Sequence, residues 1–154
     1  MTFKLVAVLL LAASVSHSAG AEAGRDEASA GTIVVTAVGI KASLGGNMIV
    51  SLCRGKANWL DVDKSFLKKI IEATSDSIVV TFEGVPYDSS YAVHLIHDKN
   101  KNGRFDMRRF PYPQPKEGAG VSHNTFRSTG PPSYDKAEFA VSDSLTSIRI
   151  VMKY

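Results

Sequence analysis

The sequence contains a series of short runs, most of them rich in Val, Ile and Thr and bounded by glycine, proline, aspartate or serine. These branched residues favour strands because they pack well on a pleated sheet. The runs cover residues 32–40, 47–54, 77–83, 90–97, 136–141 and 146–154. Gly45 and Gly46 predict a turn that joins the first two strands directly. The pattern therefore predicts an all-β chain.

About seven short strands separated by turns are typical of a two-layer antiparallel β-sandwich of immunoglobulin-like or transthyretin-like type. With 154 residues, 44% of them hydrophobic, the chain can build one such core. Residues 59–73 are ambiguous, because their apolar positions recur at helical spacing while a sandwich needs another strand before Ser77. We predict a short helical turn over 61–66 and a strand over 67–74.

The N-terminal residues have the pattern of a signal peptide. Lys4 precedes an apolar run, residues 5–13, that is far shorter than the roughly 20 residues of a membrane span. Ala19 and Ala21 form an A-x-A site with cleavage before Glu22, and a cut after Ser18 is a close alternative. The prediction is a signal peptide over 1–21, a flexible lead-in over 22–31 and a single domain over 32–154. The protein is then periplasmic or secreted.

Cys53 is the only cysteine in the sequence. It is far from the cleavage site, so we expect no lipid anchor, and it can form no internal disulfide. It is either a buried thiol or an intermolecular bridge. The formal net charge of +3 is nearly balanced, and no Lys/Arg run or zinc-finger spacing accompanies it. We therefore expect no nucleic-acid partner.

Residues 98–106, DKNKNGRFD, follow the strand over 90–97 and resemble most of an EF-hand calcium loop. Oxygen-bearing side chains occupy loop positions 1, 3, 5 and 9, and glycine occupies position 6. The glutamate expected at position 12 is replaced by arginine, and Glu117 is a candidate to complete the shell. We predict weak Ca²⁺ binding, with a Kd of about 10⁻⁴ to 10⁻³ M. The predicted ligands are Asp98, Asn100, Asn102, the carbonyl of Arg104, Asp106 and Glu117.

The alternative interpretation is that Asn102-Gly103 is a tight turn, in which Asp98 and Asn100 bond to nearby backbone. Three cations, at positions 99, 101 and 104, also oppose a bound cation by about 1 kcal/mol each at 8 Å in water.

Three segments resemble domain of unknown function family 2141, a family of exported bacterial proteins. They are YAVHLIHDKNKNGRFD (91–106), PKEGAGVSHN (115–124) and GPPSYDKAEF (130–139). The resemblance covers residues 32–154 and implies a periplasmic or secreted β-sandwich. The chain departs from the family pattern at residues 86–90, where a Pro-Gly turn is usual, and in a longer link between Asp106 and Pro115.

Other candidate sites are weaker. His94 and His97 are three residues apart on a strand, so they face opposite sides and cannot jointly bind zinc. We expect His97 to pack at the strand end and bond a loop carbonyl. Ser122 and His123 supply residue types of a hydrolase triad, but no G-x-S-x-G elbow surrounds the serine.

The leading hypothesis is a non-enzymatic exported binding or structural module. Its calcium-type loop would order the long connection over 98–132, whose basic and aromatic residues would face an unknown protein or glycan partner. The alternative is a hydrolase-type enzyme that uses His97, Asp98 and Glu117 in the same region. A third hypothesis is an envelope subunit whose loop is only a turn.

Overall fold

The computed structural model describes residues 30–127 and 130–154. In these ranges the chain is mostly β, with two main sheets and a small hairpin. The strands are β1 (Ala30–Val38), β2 (Asn47–Arg54), β3 (Leu67–Glu72), β4 (Ser77–Pro86), β5 (Ser90–Asp98), β6 (Met107–Arg108), β7 (Gln114–Pro115), β8 (Gly118–Val121), β9 (Phe139–Ala140) and β10 (Leu145–Val151). The predicted signal peptide and residues 22–29 lie outside the described residues, and β1 begins two residues before the predicted domain start.

The first sheet has the order β10-β1-β4, and the second has the order β3-β2-β5-β8. Neighbouring strands are antiparallel except β1 and β10, which are parallel. Strand β9 pairs with the start of β5, beyond the end of β8. Side chains from both sheets form one core cluster, in which Ile33, Val35 and Phe82 of the first sheet join Val50 and Leu95 of the second. The predicted β-sandwich architecture is compatible with this arrangement.

The two faces of the second sheet are both covered, which explains why β5 is buried from Tyr91 to Asp98. Its inner face joins the core of the sandwich. Its outer face is covered by Trp59 and by a short helix, α1 (Tyr134–Ala137), whose Tyr134 and Ala137 pack with Ala92. The Trp59 indole N–H donates to the carbonyl of Pro132 at 2.8 Å and joins the two covering segments.

Three local predictions were wrong. Strands β1 and β2 lie in different sheets, so Gly45 and Gly46 belong to a crossover and not to a hairpin turn. Residues 61–66 form a non-helical turn, in which the Asp61 carboxylate accepts the N–H groups of Asp63 and Lys64. The predicted strand over 136–141 is the end of α1 followed by the two-residue β9.

Cys53 is buried, as one of the two interpretations required, on the covered outer face of β2. Burial raises the pKa of its thiol to about 11. No helix in the described part of the chain is both long and apolar enough to cross a membrane.

Candidate functional site

The candidate site lies where β5 ends and β8 begins. These strands are antiparallel neighbours, with His97 opposite Gly118. Asp98 and Glu117, the residues next to this pair, therefore lie at the same end of the sheet, and everything between them forms one excursion. That excursion consists of the loop 98–106, which we call the Asp98 loop, and the hairpin β6–β7.

Asp98 organises the first half of the Asp98 loop. Its side chain is 2% exposed, and its two carboxylate oxygens accept the N–H groups of Asn102, at 3.1 Å, and Gly103, at 2.7 Å. Gly103 has a φ of +75°, which glycine adopts without strain. A buried carboxylate is costly unless it is hydrogen-bonded, and here the loop backbone supplies the donors.

Two side chains of the Asp98 loop, those of Asn100 and Asn102, converge on the carboxylate of Asp106. The Asn100 amide donates to Asp106 Oδ2 at 2.9 Å, and the Asn102 amide donates to both carboxylate oxygens at 3.2 Å. The amide oxygens are used as well, since Asn100 Oδ1 accepts the N–H of Asn102 and Asn102 Oδ1 accepts the N–H of Arg104. The alternate spacing thus does bring loop positions 3, 5 and 9 together.

Glu117 joins the two ends of the Asp98 loop. The residue is 3% exposed, and its Oε1 and Oε2 accept the N–H groups of Lys99 and Asp106, each at 3.0 Å. The longer link from Asp106 to Pro115 does not separate Glu117 from the loop, because β6 and β7 fold back on each other. We call this pair of hydrogen bonds the Glu117 clasp.

Five of the six predicted ligands, all except the Arg104 carbonyl, thus fall into two groups. Asn100, Asn102 and Asp106 are together, whereas both oxygens of Asp98 and of Glu117 bond to backbone N–H groups. In residues 30–127 and 130–154, no three His, Cys, Asp or Glu side chains are grouped so that they could hold a metal ion. The oxygen donors suit Ca²⁺ in kind. To present amide oxygens to an ion, however, Asn100 and Asn102 would have to turn their carboxamides over.

His97 has a structural environment on the inner face. Its Nε2 lies 2.6 Å from the carbonyl of Gly45, which can only accept, so Nε2 carries the proton. In the neutral ring, Nδ1 then accepts from the Tyr154 hydroxyl at 2.6 Å, and that hydroxyl accepts the N–H of Lys41. The expectation of a loop-carbonyl bond is confirmed. His97 is not hydrogen-bonded to Asp98 or Glu117, so the geometry does not bring together the three residues of the hydrolase alternative.

His94 lies on the opposite face from His97, as the strand spacing predicted. Its ring contacts the edge of Trp59 with centroids 5.7 Å apart. Burial lowers its pKa to about 4. Ser51 is its direct register partner on β2. Neither Ser51 Oγ nor His94 Nε2 has a hydrogen-bond partner among the described residues.

A groove of about 580 Å³ lies between Trp59, with the turn that follows it, and the Asp98 loop. Ile96 forms part of its wall, and Asp61, Asp63 and Arg104 supply charges at its rim. Leu60, which also lines it, has a φ of +64°, an uncommon conformation for a residue other than glycine. No pattern in the sequence predicted this groove. The single tryptophan, on a segment with helical spacing, is the only signal that could have pointed to it.

The hairpin β6–β7 extends from the Asp98 loop and is exposed at every residue from 107 to 116. Phe110 and Tyr112 are 84% and 72% exposed, although both are large aromatic residues. Together with Arg108, Arg109 and Lys116 they form the basic and aromatic surface that the sequence analysis singled out.

A family model described as "Uncharacterized protein conserved in bacteria (DUF2141)" matches residues 35–149. The match includes the second sheet, the Asp98 loop, the hairpin, β4 and parts of β1 and β10. Neither the curated proteins nor the solved structures provide a match to the chain.

Proposed function

Because the chain belongs to DUF2141, a bacterial family whose description assigns no activity, we propose a function from the geometry: a non-enzymatic, exported binding module. Its binding surface is the excursion between Asp98 and Glu117. The Asp98 loop forms the base of this surface, and the hairpin β6–β7 forms its exposed part.

The Glu117 clasp is the observation that carries this proposal. Taking a carboxylate out of water costs several kcal/mol unless hydrogen bonds replace the lost hydration. Asp98 and Glu117 are both buried, and the carboxylate oxygens of both accept hydrogen bonds from backbone N–H groups of an exposed excursion. Such an arrangement does little for the core, but it holds the loop and the base of the hairpin in one conformation. An ordered surface loop on a rigid scaffold is a common way to present binding residues.

The environments of the candidate catalytic groups also favour a binding module over a hydrolase. Ser122 Oγ donates to the carbonyl of Ala137 at 2.6 Å and accepts the N–H of Val93, so the hydroxyl joins α1 to β5. His97 is held by Tyr154 and Gly45. These contacts give each group a role in packing.

We further propose that Ca²⁺ binds weakly at the Asp98 loop. The support is that three oxygen-bearing side chains lie together in this loop, those of Asn100, Asn102 and Asp106. Lys101 is one of the three cations that oppose a bound Ca²⁺. Its charge is partly compensated, because its Nζ lies 3.3 Å from a carboxylate oxygen of Glu72 on β3.

Calorimetric melting with added Ca²⁺ tests this part of the proposal. At ten times Kd, binding to the folded state alone adds about 1.4 kcal/mol and raises Tm by about 5 °C. Asp106→Asn should remove the shift, because it takes away a ligand charge while keeping the size of the side chain. Asp143→Asn, at an exposed carboxylate outside the loop, is the matched control and should keep it. Mg²⁺ should do much less, because it demands a tighter octahedral shell. Equal melting temperatures with Ca²⁺, Mg²⁺ and chelator would contradict calcium binding.

A further inference from the structure

We infer that the hairpin β6–β7 docks on an anionic phospholipid surface, with its Phe110–Pro113 tip in the membrane interface and its cations at the lipid phosphates. The inference deepens the proposed function and rests on it, because the hairpin is the exposed part of the surface that Glu117 holds.

The first argument is the exposure of apolar side chains at the tip. An exposed apolar cluster is more informative than a single exposed leucine, because soluble proteins rarely leave large apolar patches in water without a use for them. Phe110 has most of its surface in solvent, Tyr112 nearly as much, and Met107 is 44% exposed at the base. Phe105 adds a half-exposed ring in the adjoining Asp98 loop. These side chains lie on one short excursion.

The second argument is charge. Residues 107–116, MRRFPYPQPK, include Arg108, Arg109 and Lys116 and no acidic residue. None of the three takes part in an ion pair in the part of the chain that the structure describes. Asp106 and Glu117 border this segment, but Glu117 is buried and Asp106 accepts amide hydrogen bonds within the Asp98 loop. Each basic residue close to an anionic bilayer adds attraction, so the three exposed cations of the hairpin are complementary to such a surface.

The third argument is the order of these residues along the hairpin. The four tip residues, 110–113, carry no charge, and cations flank them on both sides. This order matches the layers of a membrane interface, where apolar and aromatic groups lie below the lipid phosphates and cations lie level with them.

The fourth argument is the backbone of the tip. Pro111 and Pro113 have no N–H group, so two donors that would lose their water on entering the interface are missing. A glycan site would need polar side chains that bind sugar hydroxyls, usually within a groove. The only polar side-chain atom over 110–113 is the Tyr112 hydroxyl. The tip is therefore better suited to lipid than to sugar.

The base of the hairpin is fixed before any partner arrives. The Lys116 N–H donates to the carbonyl of Asp106 at 2.9 Å, beside the Glu117 clasp. Met107 pairs with Pro115, and the Arg108 guanidinium donates to the Gln114 amide oxygen across the hairpin. A preorganised element loses less conformational freedom on binding, which favours affinity.

Vesicle flotation in the presence of chelator tests the inference with the whole mature protein. Vesicles that contain phosphatidylglycerol should bind the protein, and vesicles of phosphatidylcholine alone should bind it much less. Arg108→Gln with Arg109→Gln should weaken binding by about five-fold per cation. Phe110→Ser should weaken it about ten-fold or more. In a Phe110→Trp variant, brominated lipids should quench the new tryptophan.

The matched control is Lys68→Gln with Lys69→Gln, which removes the same charge from β3, at the other edge of the second sheet from β8. If the two lysine substitutions weaken vesicle binding as much as the two arginine substitutions, the attraction to the vesicle depends only on the net charge of the protein, and the hairpin is not the docking site. Absence of binding to phosphatidylglycerol vesicles, or tip-dependent binding of a soluble anionic polysaccharide in its place, would also overturn the inference. Because chelator is present, vesicle binding that depends on Phe110 supports the inference even if Ca²⁺ fails to shift Tm. A Ca²⁺ shift without vesicle binding would refute only the inference.

Discussion

His94 occupies a site on β5 that stabilises its neutral form. The ring is 3% exposed and packs against Trp59, and burial is the main cause of its lowered pKa. Asp61 raises the pKa, but by less than burial lowers it. Because the folded state favours the neutral ring, protonation of His94 must lower the free energy of unfolding.

The first prediction is a pH dependence caused by His94. Its pKa is about 6.5 in the unfolded chain and about 4 in the folded one, so the unfolded state binds the extra proton between these values. The free energy of unfolding should therefore fall as pH drops from about 6.5 to about 4, by up to 1.4 kcal/mol per pH unit. Chemical denaturation across this range measures the slope.

The matched variants are His94→Gln and His123→Asn. His123 is exposed and has a φ of +57°, which asparagine tolerates. The His94 variant should lose the histidine part of the slope, and the His123 variant should keep it. Parallel curves for wild type and His94→Gln would show that His94 does not titrate with a lowered pKa.

For single residues, the sequence predicted which face of the sheet a side chain occupies better than it predicted the hydrogen-bond partners of that side chain. The spacing of three between His94 and His97 was enough to predict opposite faces. The two roles of Glu117 could not be derived, because they depend on β6 and β7 pairing and bringing Asp106 beside it.

Gly118 in β8 and Tyr154 show how one element determines the packing of another. A Cβ on Gly118 would lie 2.5 Å from Tyr154 Cε1 and 2.7 Å from Cζ. The absent side chain therefore makes room for the ring that bonds His97 and Lys41. This contact links the Asp98–Glu117 end of the second sheet to the end of the chain that follows β10.

The second prediction is that Gly118→Ala destabilises the protein by about 1–3 kcal/mol, because the ring must move and its hydrogen bonds weaken. A denaturant titration measures the loss. In a Tyr154→Ala background the same substitution should cost much less, since the atoms that it meets are gone. Equal costs in the two backgrounds would place the clash elsewhere.

Short elements were the hardest to predict from sequence. Tyr134 and Ala137 are three residues apart and pack on Ala92 as a helical turn, but a window of this length does not distinguish a helix from a strand. Strand β2 has the expected bounds and β1 begins and ends two residues earlier than predicted, but long-range pairing of β1 with β4 and β10 places the two strands in different sheets. A turn dipeptide carries no information about such pairing.

For the whole molecule, the succession of β-branched runs was sufficient to predict the mainly β architecture. The parallel pairing of β1 with β10 joins residues more than a hundred positions apart, which local patterns do not encode. The sequence predicted that side chains at alternate positions of the Asp98 loop converge, and Asn100, Asn102 and Asp106 do lie together. The groove beside Trp59 was missed, because it forms only when the turn after β2 lies near the Asp98 loop.

The third prediction concerns export, which remains a proposal. Mass spectrometry of protein collected from the periplasm or medium should give a chain that begins at or near Glu22, after the A-x-A site. Mature material that retains Met1 would contradict the proposed compartment. Cytoplasmic protein from a strain with blocked export provides the uncleaved control.

The central claim is that Glu117 holds both ends of the Asp98 loop, and amide hydrogen exchange measured by NMR tests it most directly. Under native conditions the amides of Lys99 and Asp106 should exchange slowly, because each donates to a buried carboxylate oxygen. In Glu117→Ala both should lose protection together, while Gly103, which donates to Asp98, should keep more of its own. If Lys99 and Asp106 already exchange in the wild type as fast as exposed amides of the hairpin, the clasp is not closed in solution and the account of an ordered binding surface is wrong.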